Sequence, residues 1–351
     1  MDYQFVPILA VGFATALGLT PVSRQVAMRL NVMDRPKKRN ITKAPTPMMG
    51  GLAIYLSFAL SLIVFSRSPV MTEIGAILSG TAFLSLVGLL DDRYMLGIRV
   101  RLVAMTLAAC GLIAAGIHIS LFRTPWLDYP LTVFWVLAIT NAVNFLDNMD
   151  GLAAGLSAIA AAFFLLIGLF EHLPLATYLS AAVLGSTLGF LAFNFNPASS
   201  FMGDMGALVL GFVLAVLGII IKFGSQPIGV SWMIPVLVLA LPVFDINLVI
   251  LTRLLEGRSP GEAGKDHTSH RLLSLGLNQR ATLLTLYGAC AFFGVIGLSM
   301  SSMPTATAWL VGAGSILLLG MLFLTMMWIR RKFQTIPGKP ETRGEAQANE
   351  G

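Results

Sequence analysis

Four short polar stretches carry nearly all the groups in this chain that could do chemistry. NAVNFLDNMDGLAAG, from Asn141 to Gly155, sets Asp147 and Asp150 among amides that include Asn144. VGLLDDRYMLGIRVR places Asp91 beside Asp92, with Arg93, Arg99 and Arg101 following. FNFNPASSFMGDMGA holds Asn194, Asn196 and Asp204 around a Pro turn, with Phe201 three residues before the carboxylate. The loop RLLEGRSPGEAGKDHTSHRLLSLGLNQR carries His267 and His270 three apart, then Arg271. Carboxylates alone repel phosphate and cations alone do not hold Mg2+, so this mixture suits a divalent metal together with a phosphorylated substrate. Adjacent carboxylates such as Asp91 and Asp92 repel each other, and such a pair either shares a proton or holds a cation. Zinc takes three or four protein ligands, and no Cys is within reach of the two His residues, which with Arg271 are better suited to a phosphate or a sugar. Each stretch also has a plainer reading, because Asn, Asp and Gly are ordinary helix-boundary residues and a lone Asp at a helix start is most often a cap. The case for chemistry rests on where the stretches lie relative to one another.

The elements between them are apolar. With 351 residues, 56% of them hydrophobic and 11% charged, the chain exceeds the apolar content of a soluble domain and reads as an all-α polytopic membrane protein. At roughly 20 residues per crossing, eleven spans are expected, near 3–22, 48–66, 71–90, 101–119, 130–146, 152–170, 175–194, 206–222, 231–252, 281–300 and 305–329. The loop between the first two carries seven Lys and Arg residues, which makes it cytoplasmic and puts the N-terminus outside. Alternation then assigns three further basic residues after Asp92, five from Arg253 to Arg280 and five in the C-terminal tail to the cytoplasmic side, leaving only Arg67, Arg123 and Lys222 outside. The four polar stretches fall on that same cytoplasmic face. The first run is read as a retained span, because Asp2 rather than a basic stretch precedes it. A transmembrane domain over 1–332 and a disordered cytoplasmic tail over 333–351 are expected. A net charge of +6 is thus a membrane-orientation signal, and no nucleic acid partner is implied. Cys110 and Cys290 sit inside apolar runs and read as small core residues rather than a disulfide. In the basic loop DRPKKRNITKAPTPMMGG, Lys43 stands out, since it lies on the rigid approach to Pro45, Pro47 and Gly50. Asp245, inside the ninth span, either pairs with a neighbouring Arg or Lys or serves a ligand.

Five blocks in order resemble the polyprenyl-phosphate N-acetylhexosamine-1-phosphate transferases. They are D-x-P-x-x-R with P-x-P-x-x-G-G (Asp34 to Gly51), G-x-x-D-D (Gly88 to Asp92), N-x-x-N-x-x-D-x-x-D-G-L-A (Asn141 to Ala153), F-N-x-x-P-A-x-x-F-M-G-D-x-G (Phe193 to Gly206) and H-x-x-H-R-L (His267 to Leu272). The resemblance covers nearly the whole chain. It implies a bundle of ten or eleven transmembrane helices in a bacterial inner membrane, with a cytoplasmic active site that uses Mg2+, or Mn2+ in its place, to move a sugar 1-phosphate from a UDP-sugar to undecaprenyl phosphate with release of UMP. By the same resemblance Asp204 is a Mg2+ ligand, with Asp92 as its partner on the metal, and Asp91 and Asp92 handle the lipid phosphate. Asn144, Asp147 and Asp150 match nucleoside contacts and Phe201 matches a residue stacked on uracil. Asn194 and Lys43 match further pocket residues, and His267, His270 and Arg271 fall in the sugar-phosphate loop. A homodimer is compatible with this reading.

Three departures bear on the donor. Asn148 stands where the family usually has Gly, Ser269 where it often has a further His, and Asn40 and Thr42 where Lys and His are common. The absence of a soluble insertion able to grip a peptide favours UDP-GlcNAc over UDP-MurNAc-pentapeptide, with Arg271 and His270 as candidates for reading the hexose. A transporter is the main rival from another class, but transporters bind near the midplane between repeats, and no repeat is visible. A CDP-alcohol phosphotransferase needs an Arg soon after its Asp-Gly motif, where this chain has GLAAGLS.

Overall fold

The computed structural model describes residues 3–34, 45–66, 70–221, 226–262 and 264–333. Among them the chain is helical almost throughout, apart from a two-residue antiparallel bridge between β1 (Met33–Asp34) and β2 (Thr46–Pro47). Five helices precede the Asn141 stretch or contain its start: α1 (Phe5–Leu30), α2 (Gly50–Phe65), α3 (Met71–Tyr94), α4 (Ile98–Ala114) and α5 (Pro125–Leu146). Then come α6 (Leu152–Phe170), α7 (Pro174–Asn194), α8 (Gly203–Ile220), α9 (Ile228–Val238) and α10 (Ala240–Leu255). The short α11 (Thr268–Ser274), α12 (Gln279–Met300) and α13 (Thr305–Phe333) complete the bundle.

Eight helices, α1, α3, α5, α6, α7, α8, α12 and α13, are long and apolar enough to cross a membrane. The pair α9 and α10 qualifies as a ninth segment but is bent by 79°. Pro242 has no N–H to give to the carbonyl four residues back, which interrupts the ladder at the bend. Every one of the eleven expected segments meets a helix or helix pair, yet length and composition support eight to nine spans. The apolar runs overshoot the helices: 48–66 includes Met48 and Met49 before α2, which has 16 residues, and 101–119 runs past the end of α4. At the other extreme α1 continues to Leu30, beyond the expected end at 22, and stops where Asn31 turns left-handed at φ 54°. Cys290 is buried as expected, but Cys110 is exposed, because α4 packs through Ala104, Met105, Ala108, Ala109 and Leu112 and turns Cys110 away from them.

α8 is the axis of the bundle. Every residue from Met205 to Ile219 is buried, as a helix apolar on all sides requires, with α2, α3 and α5 packed around it. Its N-terminus is approached closely by α2. A Cβ on Gly51 would lie 2.2 Å from the Gly206 nitrogen, so this crossing needs glycine. The N–H groups of Gly50 and Gly51 donate to the carbonyls of Phe201 and Met202 at 2.8 and 2.9 Å, and Phe201 N–H donates to Pro47 at 2.9 Å. That seam fixes the loop before α8 against the start of α2, and so aims Phe201 and Asp204.

Candidate active site

The polar ends of α3, α5 and α8 and the segments after α5, α7 and α10 open onto one cavity of about 1160 Å³, a little larger than the usual small-molecule site of roughly 300–1,000 Å³. Asp91, Asp92, Asn144, Asp147 and Asp150 line it from the α3 and α5 side. Asn194, Phe201 and Asp204 line it from the α7–α8 connection, and His267 and His270 from α11. Residues far apart in sequence are thus brought together. Arg271 is not among them and lies behind the cavity wall, and Lys43 lies outside the described residues.

At the carboxylate end, the Arg101 Nη1 sits 2.8 Å from an Asp204 oxygen and 3.0 Å from an Asp91 oxygen. The other Asp204 oxygen accepts a hydrogen bond from Asn144 Nδ2 at 2.5 Å. Asp92 accepts from the backbone N–H groups of Asp204 at 2.8 Å and Met205 at 3.3 Å, so it caps the start of α8 from a neighbouring helix. Gly203 is held at φ +67°, and a Cβ there would meet an Asp92 oxygen at 2.4 Å, so Asp92 reaches the cap only over a glycine. Arg101 is the main site residue that sequence reasoning misses, counted there only as a positive-inside charge. The available signal was the short connection from Tyr94 to Ile98, which returns the first turn of α4 to the acidic end of α3.

The two asparagines of α5 divide. Asn144 faces the cavity, whereas the Asn141 amide donates to the Leu137 carbonyl at 2.8 Å and to Met105 Sδ at 3.4 Å, and serves the α4–α5 contact. Asp150 Oδ2 accepts from Asn196 Nδ2 at 3.1 Å and from the Ala198 N–H at 3.0 Å. Asn194 is 2% exposed and braces the same corner, accepting from Gly151 N–H at 3.1 Å and donating to the Ser200 carbonyl at 2.9 Å.

Burial, and then the charges of Asp204, Asp150 and Asp34, push Asp147 up to about 7. The folded protein therefore holds a proton that the unfolded chain gives up near pH 4, and by linkage stability declines as the pH rises from about 4 through about 7. Between pH 5 and pH 8 the wild type is expected to lose thermal stability relative to Asp147→Asn, whose amide cannot ionise. Melting curves of both proteins in detergent check this; parallel slopes would mean that Asp147 ionises at its ordinary value.

On the opposite wall, burial first, and then neighbouring His267 and Lys265, hold His270 down at about 4, so it faces the cavity as a neutral imidazole at pH 7. His267 Nδ1 lies 2.7 Å from Asp245 Oδ2, so Asp245 pairs with a histidine, not with an Arg or Lys. Two of the positions that depart from the family pattern touch each other: Ser269 Oγ donates to Asn148 Oδ1 at 2.7 Å. Arg271 is corrected from a substrate contact to a structural group. It is fully buried, and its guanidinium donates to the Asp266 carbonyl at 3.0 Å, the Met326 carbonyl at 2.6 Å and Thr252 Oγ1 at 2.6 Å. Arg253 and Lys265, unremarked in the sequence, line the cavity in its place. The Arg253 Nε is 2.9 Å from Asp266, whose carboxyl, despite its burial, is held at about 2 chiefly by hydrogen bonds from Arg258 and Arg253.

The donor set can be tested against a metal. Among the described residues no three His, Cys, Asp or Glu side chains converge as a metal cage, which does not fit zinc. Mg2+ is held by one or two carboxylates, with waters and substrate phosphates completing its shell. Asp204 and Asp92 fit that demand, since a carboxylate has about four acceptor positions and the hydrogen bonds above use only part of them.

Residues 74–222, which include Asp91, Asp92, Asn144, Asp147, Asp150, Asn194, Phe201 and Asp204, match the family described as glycosyl transferase family 4. Over 316 residues the chain is 34% identical to the probable undecaprenyl-phosphate N-acetylglucosaminyl 1-phosphate transferase of Bacillus subtilis, covering 88% of this chain and 87% of that protein. The chain belongs to glycosyl transferase family 4. It is also 31% identical over 355 residues to the decaprenyl-phosphate N-acetylglucosaminephosphotransferase of Mycobacterium tuberculosis, covering 90% of this chain and 87% of the other. A phospho-N-acetylmuramoyl-pentapeptide-transferase of Bacillus cytotoxicus is 30% identical over 239 residues, covering 60% of this chain and 74% of that protein. The family match ends at 222, so the His loop that forms one wall of the family 4 cavity lies beyond it.

Proposed function

We propose that this protein transfers N-acetylglucosamine 1-phosphate from its UDP-sugar to undecaprenyl phosphate, releasing UMP and starting a lipid-linked cell-envelope glycan. One observation carries the reading: Asp91, Asp92 and Asp204 meet at one end of a cavity whose other wall is His267 and His270. The wider coverage by N-acetylglucosamine enzymes than by the pentapeptide transferase supports the simpler donor.

In this reading an oxygen of the lipid phosphate attacks the β-phosphorus of the UDP-sugar, the bond from that phosphorus to the bridging oxygen breaks, and the pair of electrons leaves with UMP. Asp204 and Asp92 would hold Mg2+, which when bound would neutralise charge on the diphosphate. The acceptor phosphate is already ionised at neutral pH, so no general base is needed, and phosphoryl transfer is mostly positioning and charge stabilisation. Arg101 spans Asp91 and Asp204 and places one positive charge between them. Asn144 orients Asp204, Asp147 and Asp150 take the nucleoside, and the ring of Phe201 offers a stacking face for uracil. His267, neutral His270 and Lys265 face the sugar phosphate.

The same reading runs eleven segments through the bacterial cell membrane, with α2 and α4 as short spans and α9–α10 as a broken one. The N-terminus is outside, and the cavity and C-terminus are cytoplasmic. Purified protein given undecaprenyl phosphate and Mg2+ is expected to release UMP from UDP-GlcNAc, and none from UDP-MurNAc-pentapeptide. Release only from the pentapeptide donor would overturn the substrate, and release from no donor would overturn the activity.

A further inference from the structure

Asp245 is a carboxylate that the transfer chemistry does not use. It lies on α10, 1% exposed, where a charge without partners would be costly. Both of its oxygens are engaged by the start of α11. Oδ2 is 2.7 Å from His267 Nδ1, and Oδ1 accepts from the Thr268 backbone N–H at 2.7 Å. An ionised carboxylate only accepts hydrogen bonds, so the proton between the two side chains sits on Nδ1. In the neutral ring the lone pair then falls on Nε2, on the far side of the imidazole from Asp245. His267 is 7% exposed and lines the cavity. The ring is also confined sideways, edge-on to Phe145 with centroids 6.0 Å apart and 6.0 Å from the His270 ring.

We infer that Asp245 is a positioning residue, which fixes His267 in the Nδ1–H tautomer and turns Nε2 into the cavity as a hydrogen-bond acceptor for a hydroxyl of the donor sugar. Phosphate oxygens carry no proton to give such an acceptor at neutral pH, whereas a hexose carries several hydroxyls. The sugar contact rests on the transfer reading above; the tautomer does not. Asn at 245 keeps the shape but offers only one acceptor oxygen; with that oxygen on the Thr268 N–H, its NH2 faces His267 Nδ1 and favours the opposite tautomer, with the proton on Nε2.

Two measurements test this. With ¹⁵N-labelled histidine in the full-length wild-type protein, the resonances absent from His267→Gln should report a proton on Nδ1 and none on Nε2; an Nδ1 without a proton, or protons on both nitrogens, overturns the assignment, whether or not the protein turns over UDP-GlcNAc. In UMP-release kinetics, Asp245→Asn and His267→Gln should each lower kcat with UDP-GlcNAc about 10-fold, the scale of one lost hydrogen bond, with KM for the lipid phosphate unchanged. The double variant should be no worse than the poorer single one, because Asp245 acts through His267. Losses that multiply, as two independent structural defects would, overturn the positioning role. Failure of the wild type to release UMP would sink the transfer reading and leave the tautomer to the resonance alone.

Discussion

Asp204→Asn is expected to lower transfer by about a thousandfold, the scale of losing several kcal/mol of charge stabilisation at roughly 1.4 kcal/mol per tenfold, while leaving the fold intact. The fold survives because the contribution of residue 204 to α8 is its backbone N–H, held by Asp92 at 2.8 Å, and the substitution leaves that bond in place. Its new amide oxygen can still accept from Asn144. What changes is charge: the new NH2 would face the Arg101 guanidinium, two donors opposed, and Arg101 keeps only Asp91. The variant should therefore elute as the wild type does, melt within a few degrees of it by the usual scale of part-exposed substitutions, and show UMP release that added Mg2+ no longer raises. Near-normal release would remove Asp204 from the metal site and with it the proposed chemistry.

Much of this site was legible in the chain, and for a physical reason. In a membrane protein charge is expensive, so Asp91, Asp92, Asp147, Asp150 and Asp204 stand out against apolar surroundings, and the positive-inside pattern gathers them on one expected face. Spacing could not tell a residue that lines the cavity from one that holds up its wall. Asn141 and Asn144 share a helical face three residues apart, yet one meets Met105 and the other Asp204. Arg101 was hidden because one of its two partners, Asp204, stands 103 residues on at the start of α8, and Asp245 because its partner follows a loop that sequence alone does not fold back. The contact between Asn148 and Ser269 was hidden in the same way. The two were visible as separate departures, and only the fold makes them one feature that ties the Asp147 loop to α11. Helix ends were the weakest part of the reading, because hydropathy measures how far an apolar run extends and not where its hydrogen-bond ladder stops.

Arg271→Ala is expected to destabilise the protein by roughly 3–5 kcal/mol, the usual loss when a large buried side chain is cut back to Ala, and not to retune its choice of sugar. The side chain is 0% exposed. Removing it takes the guanidinium donor from the Asp266 and Met326 carbonyls and from Thr252 Oγ1, which keeps its own bond to the Leu248 carbonyl, and leaves a void between α10, α11 and α13. Arg271→Lys should recover only part of the loss, since one ammonium on a flexible stem cannot fork to three acceptors. The measurements are thermal unfolding in detergent and KM for a panel of UDP-sugars on whatever protein remains folded. A lower melting temperature with an unchanged ranking of donors is the expected pair of results. A normal melting temperature with KM raised for one sugar alone would return Arg271 to the substrate, and would mean that α11 swings to present it, against the three hydrogen bonds that now point it away from the cavity.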